Sequence, residues 1–231
     1  MPAEVYQLFS SSKGNCCLIK NGNDVFLIDA GVSAKRIEAA VKQVGIAPEQ
    51  IRAVFVTHEH SDHIQGIGYV YGSKEIYRRY GMDIYAPTGC FDGILAAAPS
   101  AFPFLKPNEP GTLTCLEDTR IYTVRTPHDA CASVGFRIEL AGEIMAYFTD
   151  IGHLSSEILR AMSGCKRIVI ESNHDVERLK AGPYPFPLKK RILGPYGHLS
   201  NFDCELCLKS CPVSVFVFYS YTDSVSIWVC S

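Results

Sequence analysis

The sequence lacks any apolar run that approaches the roughly 18 residues of a membrane-spanning helix. It also lacks, at its start, the charged and then apolar stretch that marks an export signal. We therefore expect a cytoplasmic protein with no membrane partner. In that setting its ten cysteines are expected to be reduced thiols rather than disulfides.

A large charge of one sign is also absent, because 22 basic residues face 24 acidic ones and the net charge is −2. This balance argues against a protein that holds nucleic acid over a broad basic surface. It is compatible with a phosphate substrate, since bound metal ions can supply positive charge locally. Internal repeats and low-complexity tracts are absent as well. A chain of 231 residues with 47% hydrophobic content is long enough for one good core.

The cysteines Cys204, Cys207 and Cys211 include the CxxC spacing of zinc knuckles and redox motifs. No second CxxC accompanies them in the sequence, and their i, i+3, i+7 spacing is also that of one buried helix face. We favour packing over metal binding for these three thiols.

Short strand-like runs occur early and late in the chain, with helical patterns between them. The first three, EVYQLF, NCCLIK and DVFLIDAG, precede a helical pattern that follows Ser33, a candidate N-cap. A second helical pattern runs from Ile64 to Tyr80, and four prolines between positions 99 and 111 indicate a surface loop. Together the patterns predict two sheets with helices outside, or another α+β layering.

Three histidines and an aspartate are concentrated in the stretch THEHSDHIQG, directly after the strand-like run AVFVT. An extended chain there puts His58 and His60 on the same side, so that two imidazoles face one point. Asp62 and His63 follow as the chain turns into a helix, whereas Glu59 points away and is not counted as a ligand. Imidazole and carboxylate together suit zinc, manganese or iron. The stretch therefore predicts a metal site.

The pattern THEHSDH resembles the HxHxDH motif of the metallo-β-lactamase superfamily, and further expected groups follow in order, in TPHDA and FTDIG. The resemblance implies an α+β fold, an αββα sandwich with metals at one edge. It implies two divalent ions, zinc or manganese, with iron also compatible. The implied ligands are His58, His60 and His128 for the first ion, Asp62 and His63 for the second, and Asp150 between the two. Asp29, in DVFLIDAG, is implied to lie beneath the metals.

Three more stretches, SSSKGNCCLI, ESNHD and GHLSN, resemble the WalJ/YycJ-like branch, which is itself similar to the nuclease side of the superfamily. This resemblance implies a di-metal phosphodiesterase or nuclease that acts on DNA, with exonuclease action as one form, through a hydroxide that bridges the metals. It implies that His198, tuned by Glu171, gives a proton to the leaving group, and that Asp62 completes the catalytic set. His198 could instead merely begin a helix. Three basic residues are candidate phosphate contacts or a solvated helix start: Lys189, Lys190 and Arg191.

The superfamily pattern ends with another histidine after the last strand, and the sequence has none after His198. We treat residues 1–231 as one metallo-hydrolase domain with an atypical C-terminal end over 204–231. Asp223 or Tyr221 could substitute for the missing ligand, and His198 could itself serve as one. Two alternatives to the nuclease stay open. One is a hydrolase of small esters, thioesters or lactones; the other is a family member with impaired activity, or one that only binds metal.

Overall fold

The strands of the computed structural model form two sheets, and the model describes residues 2–67, 76–210, 215–219 and 226–229. The first sheet hydrogen-bonds six strands in chain order: β1 (Glu4–Phe9), β2 (Cys16–Asn21), β3 (Asp24–Ile28), β4 (Ala53–Phe55), β5 (Asp83–Ala86) and β6 (Leu105–Pro107). The second does the same with seven: β7 (Leu113–Cys115), β8 (Arg120–Arg125), β9 (Val134–Leu140), β10 (Glu143–Phe148), β11 (Arg167–Glu171), β12 (Val215–Tyr219) and β13 (Ser226–Val229).

Helices connect these strands. The described α-helices are α1 (Ala34–Gln43), α2 (Ser61–Ile64), α3 (Ile76–Tyr80), α4 (Phe91–Ala97), α5 (Ser156–Met162), α6 (Val176–Ala181), α7 (Phe186–Ile192) and α8 (Asn201–Ser210). Short 3-10 helices cover Pro48–Gln50, Thr88–Cys90 and Pro99–Phe104. None of the helices in the described ranges combines the length and the hydropathy that crossing a bilayer requires.

The core between the two sheets follows from the alternation of side chains along each strand. Phe26 and Ile28 of β3 point inward with Phe55 of β4, and they meet Phe136 and Tyr147 of the second sheet. The Phe55 ring lies edge-on to that of Phe136, with 5.9 Å between ring centres. The two sheets are therefore joined by a continuous layer of large, fully buried side chains.

The opposite faces of both sheets are covered by helices. Leu27, the residue between Phe26 and Ile28, packs outward against Ile37 and Val41 of α1. On the second sheet, the outward residues belong to a cluster that includes members of α5 and α8. The order is helix, sheet, sheet, helix, so the predicted αββα sandwich is confirmed.

Two local predictions were wrong in extent. The helix predicted from Ile64 to Tyr80 is not continuous. Ile64 is the last residue of α2, residues 65–67 form a turn, and Ile76–Tyr80 form α3; residues 68–75 lie outside the described part. The physical reason is competition for backbone groups: Gly66 N, which would continue the helix by donating to Asp62 O, donates to Ala30 O at 2.6 Å, and Asp62 O accepts from Asn15 N at 2.8 Å. Carbonyl groups that pair with other segments cannot extend the helix.

The region between positions 99 and 111 is less irregular than predicted. It contains the 3-10 helix Pro99–Phe104 and the strand β6, which pairs in parallel with β5. In α8, Cys204 and Cys207 are buried in the outer core, as the packing interpretation predicts. Cys211 lies outside the described residues, as do Tyr221 and Asp223.

Candidate metal centre

The candidate site lies where strands of both sheets end. Asp29 follows β3 directly, and the histidine-rich stretch follows β4. From the second sheet, His128 follows β8 and Asp150 follows β10, while Glu171 is the last residue of β11. Residues far apart in the sequence are therefore collected at one edge of the sandwich.

Asp29 and Thr57 fix the orientation of two of the histidines. The Asp29 carboxylate is fully buried and accepts from Thr57 N at 2.8 Å, Thr57 Oγ1 at 2.9 Å and His63 Nδ1 at 2.8 Å. Thr57 Oγ1 in turn accepts from His58 Nδ1 at 3.0 Å. Asp29 thus lies behind the histidines, where the resemblance implies it.

Both Asp29 and Asp150 adopt the left-handed backbone conformation, with φ of 59° and 52°. This region is uncommon for residues other than glycine, although aspartate tolerates it better than most. Such backbone outliers concentrate at functional sites, where the surrounding structure imposes them. Here both outliers lie just beyond the end of a strand, and both carboxylates contact His63, Asp29 from behind and Asp150 from the cavity.

Potential ligand atoms come within 4.8 Å of one another in three groups of three side chains. The groups are His58, His60 and His128; His58, His63 and Asp150; and His128, Asp150 and His198. His58 Nε2 lies 3.0 Å from His60 Nδ1, and His63 Nε2 lies 3.1 Å from Asp150 Oδ2. The three residues predicted to bind the first ion, His58, His60 and His128, therefore lie close together.

The chemistry of these donors fits a bound divalent ion. In His58, His63 and His128 the Nδ1 atom hydrogen-bonds to Thr57 Oγ1, Asp29 and Gly197 O respectively, which leaves Nε2 directed at the site. This arrangement fixes the tautomer and ring orientation of metal-binding histidines. Imidazole nitrogens and carboxylate oxygens in this mixture suit zinc, manganese or iron.

The pKa values of the histidines differ with their neighbours. Burial lowers the pKa of His58 well below its ordinary value and also lowers that of His128, so both are neutral and have a lone pair for a metal. Burial would lower the pKa of His63 too, but the carboxylates of Asp29 and Asp150 outweigh it and raise that pKa well above the ordinary value. In the metal-free protein His63 therefore carries the positive charge that balances the two aspartates.

Asp62 occupies a less defined position than the resemblance implies. Its Oδ2 lies 3.6 Å from His63 Nε2 and accepts from Asn15 Nδ2 at 3.3 Å, but it belongs to none of the three close groups. His63 is closer to Asp150 than to Asp62. The assignment of Asp62 and His63 to a second ion stays a prediction, as do the other ligand assignments.

Glu171 and His198 are joined by a short hydrogen bond, in which His198 Nδ1 donates to Glu171 Oε1 at 2.7 Å. Glu171 is 3% exposed and accepts three further bonds, from Ile151 N, Asn173 Nδ2 and Leu199 N at 3.0 to 3.1 Å. Burial alone would lower the pKa of His198, but the carboxylates of Glu171 and Asp150 raise it to about 9.

Sequence reasoning missed Asn15 and an ion pair between Arg191 and Asp129. Asn15 Nδ2 lies 3.1 Å from His63 Nε2, and its sequence signals were the turn SSSKGN and the stretch SSSKGNCCLI, which resembles the WalJ/YycJ-like branch. Arg191 Nη2 donates to Asp129 Oδ1 at 3.0 Å, and Asp129 Oδ1 lies 3.4 Å from His128 Nε2. Glu59 points out of the site as predicted, since its Oε1 accepts from Cys131 N at 2.7 Å.

An open cavity of about 330 Å³ leads to these side chains. It is lined by Ser12, His60, Ser61, Asp62, His128, Asp150, Arg191 and His198. A polar cavity with several histidines and carboxylates at its base is suited to an anionic substrate held by metal ions.

Comparison with known proteins agrees with this geometry. A family model described as the metallo-β-lactamase superfamily matches residues 12–166. The chain belongs to the metallo-β-lactamase superfamily. Exodeoxyribonuclease WalJ of Streptococcus pneumoniae serotype 2 (strain D39 / NCTC 7466) is 34% identical over 201 residues, which are 85% of this chain and 72% of that protein. Exodeoxyribonuclease YycJ of Bacillus anthracis is 31% identical over 204 residues, 87% of this chain and 74% of that protein.

A solved structure supports the superfamily fold. The metallo-β-lactamase fold protein YhfI from Bacillus subtilis superimposes with a TM-score of 0.71, covers 97% of this chain and 89% of its own, and is 14% identical. The predicted resemblance to this superfamily and to its WalJ/YycJ-like branch is confirmed by these matches. A superfamily member with this histidine and aspartate cluster is a metal-dependent hydrolase.

Proposed function

We propose that the chain is a metal-dependent exodeoxyribonuclease that hydrolyses phosphodiester bonds of DNA. The observation that carries this proposal is the pair Glu171 and His198 beside the metal-binding group, since hydrolysis of a phosphodiester expels an alkoxide that needs a proton. The similarity to WalJ and YycJ, both named exodeoxyribonucleases, supports DNA as the substrate.

Two divalent ions, zinc or manganese, are proposed as cofactors, with iron also compatible. Bound in this cavity, such ions would supply the positive charge and the Lewis acidity that phosphodiester hydrolysis requires. The proposed holders of the first ion are His58, His60 and His128. For the second we propose His63 with Asp62, and Asp150 placed between the two ions.

The residues of the chain then divide the proton transfers between them. Asp62, at the cavity wall, is proposed to orient the attacking water. His198 is charged at neutral pH, because Glu171 and Asp150 hold its proton. It gives that proton to the oxygen that leaves as the phosphorus–oxygen bond breaks, and it is recharged from solvent. The net reaction adds one water to one phosphodiester bond.

Buried thiols such as Cys16, Cys17 and Cys90 are consistent with a reducing compartment, so we also propose that the protein acts in the cytoplasm. Ester or lactone hydrolysis also expels an alkoxide, so the similarity to the exodeoxyribonucleases WalJ and YycJ is what favours a phosphodiester over these substrates. An impaired enzyme is the outcome expected if the second ion binds too weakly for turnover.

The proposal is tested with purified protein loaded with manganese or zinc. It is assayed on 5′-labelled single- and double-stranded DNA, on RNA, on a chromogenic phosphodiester and on a lactone, with Asp62→Asn as the control. We expect stepwise shortening of DNA that Asp62→Asn abolishes. Turnover of the lactone alone would exclude the nuclease, and one bound ion without turnover would identify an inactive member.

A further inference from the structure

The segment from Pro183 to Gly197 presents aromatic rings to solvent beside the metal cavity. Tyr184 is 54% exposed, Phe186 77% and Tyr196 59%. Single aromatic side chains are often partly exposed, but three within 13 positions make a patch. We call Tyr184, Phe186, Lys190, Arg191 and Tyr196 the aromatic-basic surface.

The same segment is positively charged in a protein of net charge −2. Between positions 178 and 198 the sequence has five basic residues and no acidic one. Lys189 Nζ donates to Lys180 O at 2.6 Å and so stabilises the end of α6. Lys190 and Arg191 are exposed on α7. Lys180 is paired with Glu177 and Arg191 with Asp129, and the remaining basic residues leave the segment a net positive charge that suits a polyanion, although the charge of the whole chain does not.

The aromatic-basic surface is continuous with the cavity. Arg191 lines the cavity together with His60, His128 and His198, and it is the last charged residue of α7. Tyr196 stands two positions before His198, on the turn that leads from α7 into the site. Phe186 begins α7 and shares a helix face with Lys190, four residues further on, while the next residue, Arg191, lines the cavity.

The backbone that bears these side chains is held by several hydrogen bonds. His198 N donates to Ile192 O at 3.0 Å, and His153 Nδ1 donates to Pro195 O at 2.9 Å. A Cβ on Gly152 would lie 2.2 Å from Pro195 O, so the two segments are in close contact. The backbone next to Tyr196 is thus fixed before DNA binds, which lowers the entropy cost of stacking on that ring.

We propose that the aromatic-basic surface binds single-stranded DNA and directs it into the metal cavity; the inference rests on the proposed nuclease function. Bases stack on Tyr184, Phe186 and Tyr196, while Lys190 and Arg191 contact the phosphates. Exposed rings flanked by basic residues suit unpaired bases, whose faces are accessible, better than a duplex. Aromatic rings and arginine also occur in protein interfaces, but five basic residues with no acidic one between positions 178 and 198 favour a polyanion over a protein partner.

The first arm of the test measures binding without chemistry. Metal-free protein is titrated into a fluorescent single-stranded oligonucleotide, a duplex and a single-stranded RNA. We expect the combined change Tyr184→Ala, Phe186→Ala and Tyr196→Ala to weaken single-strand binding at least about 10-fold, since stacking contributes strongly for each base. Lys190→Ala should reduce the salt slope of the logarithm of affinity by about 0.7.

Phe102→Ala and Lys35→Ala are matched controls, since both residues are exposed outside the aromatic-basic surface and Phe102 is 70% exposed. They should change neither the affinity for single-stranded DNA nor its salt slope. Thermal unfolding of every variant establishes that it is folded. Equal loss in Phe102→Ala, preference for duplex or RNA, or an unchanged affinity of the triple variant would each overturn the proposal. A change from dimer to monomer with unchanged DNA binding would assign the surface to a second copy of the chain.

The second arm separates this inference from the function on which it rests. Turnover of single-stranded DNA is divided by turnover of a chromogenic phosphodiester that is too small to reach Tyr184 or Phe186. The triple variant should lower this ratio at least about 10-fold. An unchanged ratio in an active enzyme refutes the surface alone. Wild-type protein that hydrolyses neither substrate refutes the proposed function, whatever the binding arm shows.

Discussion

The Glu171→Gln substitution tests the proton-transfer assignment because it removes one charge with little change of shape. Glu171 is almost fully buried and accepts four hydrogen bonds, so the amide must donate where the carboxylate accepted. The orientation of the Gln amide that loses the fewest hydrogen bonds points its Oε1 at the backbone N–H groups of Ile151 and Leu199, so that both still donate to it. Nε2 then donates to His198 Nδ1, which can accept only when His198 is neutral.

The magnitude follows from the pKa of His198, which the neighbouring carboxylates raise to about 9. At pH 8 such a histidine is roughly 90% protonated, whereas one with the ordinary value near 6.5 is only about 3% protonated. Burial without Glu171 would lower the protonated fraction further. The variant should therefore lose about 30-fold or more in turnover at pH 8 and much less at pH 6.

The assay is the pH dependence of kcat for a labelled DNA strand, from pH 5.5 to 10, for wild type and Glu171→Gln. The alkaline limb should move from near 9 to 6.5 or below. A nitrophenyl phosphodiester is the control substrate, since its leaving group departs as a stable anion and needs no proton. An alkaline limb that stays in place, or an equal loss on the nitrophenyl substrate, would refute the role of His198 as proton donor.

Three further predictions concern metal affinity and stability. Thr57→Val removes the hydroxyl that orients His58 and should weaken metal binding about 10- to 100-fold in a chelator competition titration; unchanged affinity would contradict that role. The raised pKa of His198 means that its proton stabilises the folded metal-free protein below pH 6.5, and this contribution, about 3 kcal/mol, is lost as the pH rises through 9. The urea midpoint of the metal-free protein should therefore fall between pH 6.5 and 9, and a midpoint that is constant over this range would contradict the prediction. Phe55→Ala in the fully buried inter-sheet core should cost about 3 to 5 kcal/mol in urea unfolding, where a loss below 1 would argue against this packing.

The parts of the site that the sequence predicts well are those set by local geometry. An extended chain after β4 places His58 and His60 on one side, and in the structure their facing nitrogen atoms are 3.0 Å apart. Glu59, the residue between them, points out of the site as the same alternation requires. Alternation also puts Phe26 and Ile28 on one face of β3 and Leu27 on the other, but the continuous apolar run does not show which of the two faces is inner.

Contacts between distant segments could not be predicted in this way. Asn15 reaches His63 across 48 positions, and Arg191 reaches Asp129 across 62. The helix predicted from Ile64 is interrupted for the same reason, since Gly66 N donates to Ala30 O, in a distant segment that no local pattern reveals. Periodicity describes which face of an element is apolar, but it does not describe which polar groups meet at the ends of two sheets.

His198 cannot serve equally well as a proton donor and as the replacement for the missing last ligand. Its Nδ1 is shared by Glu171 at 2.7 Å and Asp150 at 3.4 Å, and two carboxylates favour the imidazolium form. An imidazolium has no lone pair for a metal. In the metal-free protein Glu171 therefore favours proton donation by His198, and an ion bound by the third group of potential ligands, His128, Asp150 and His198, would have to displace that proton, as an ion bound by His63 would. In Glu171→Gln the amide takes the lone pair of His198 Nδ1 and ring Nε2 keeps its hydrogen, so the substitution should slow DNA hydrolysis without strengthening binding of the second ion in a metal titration.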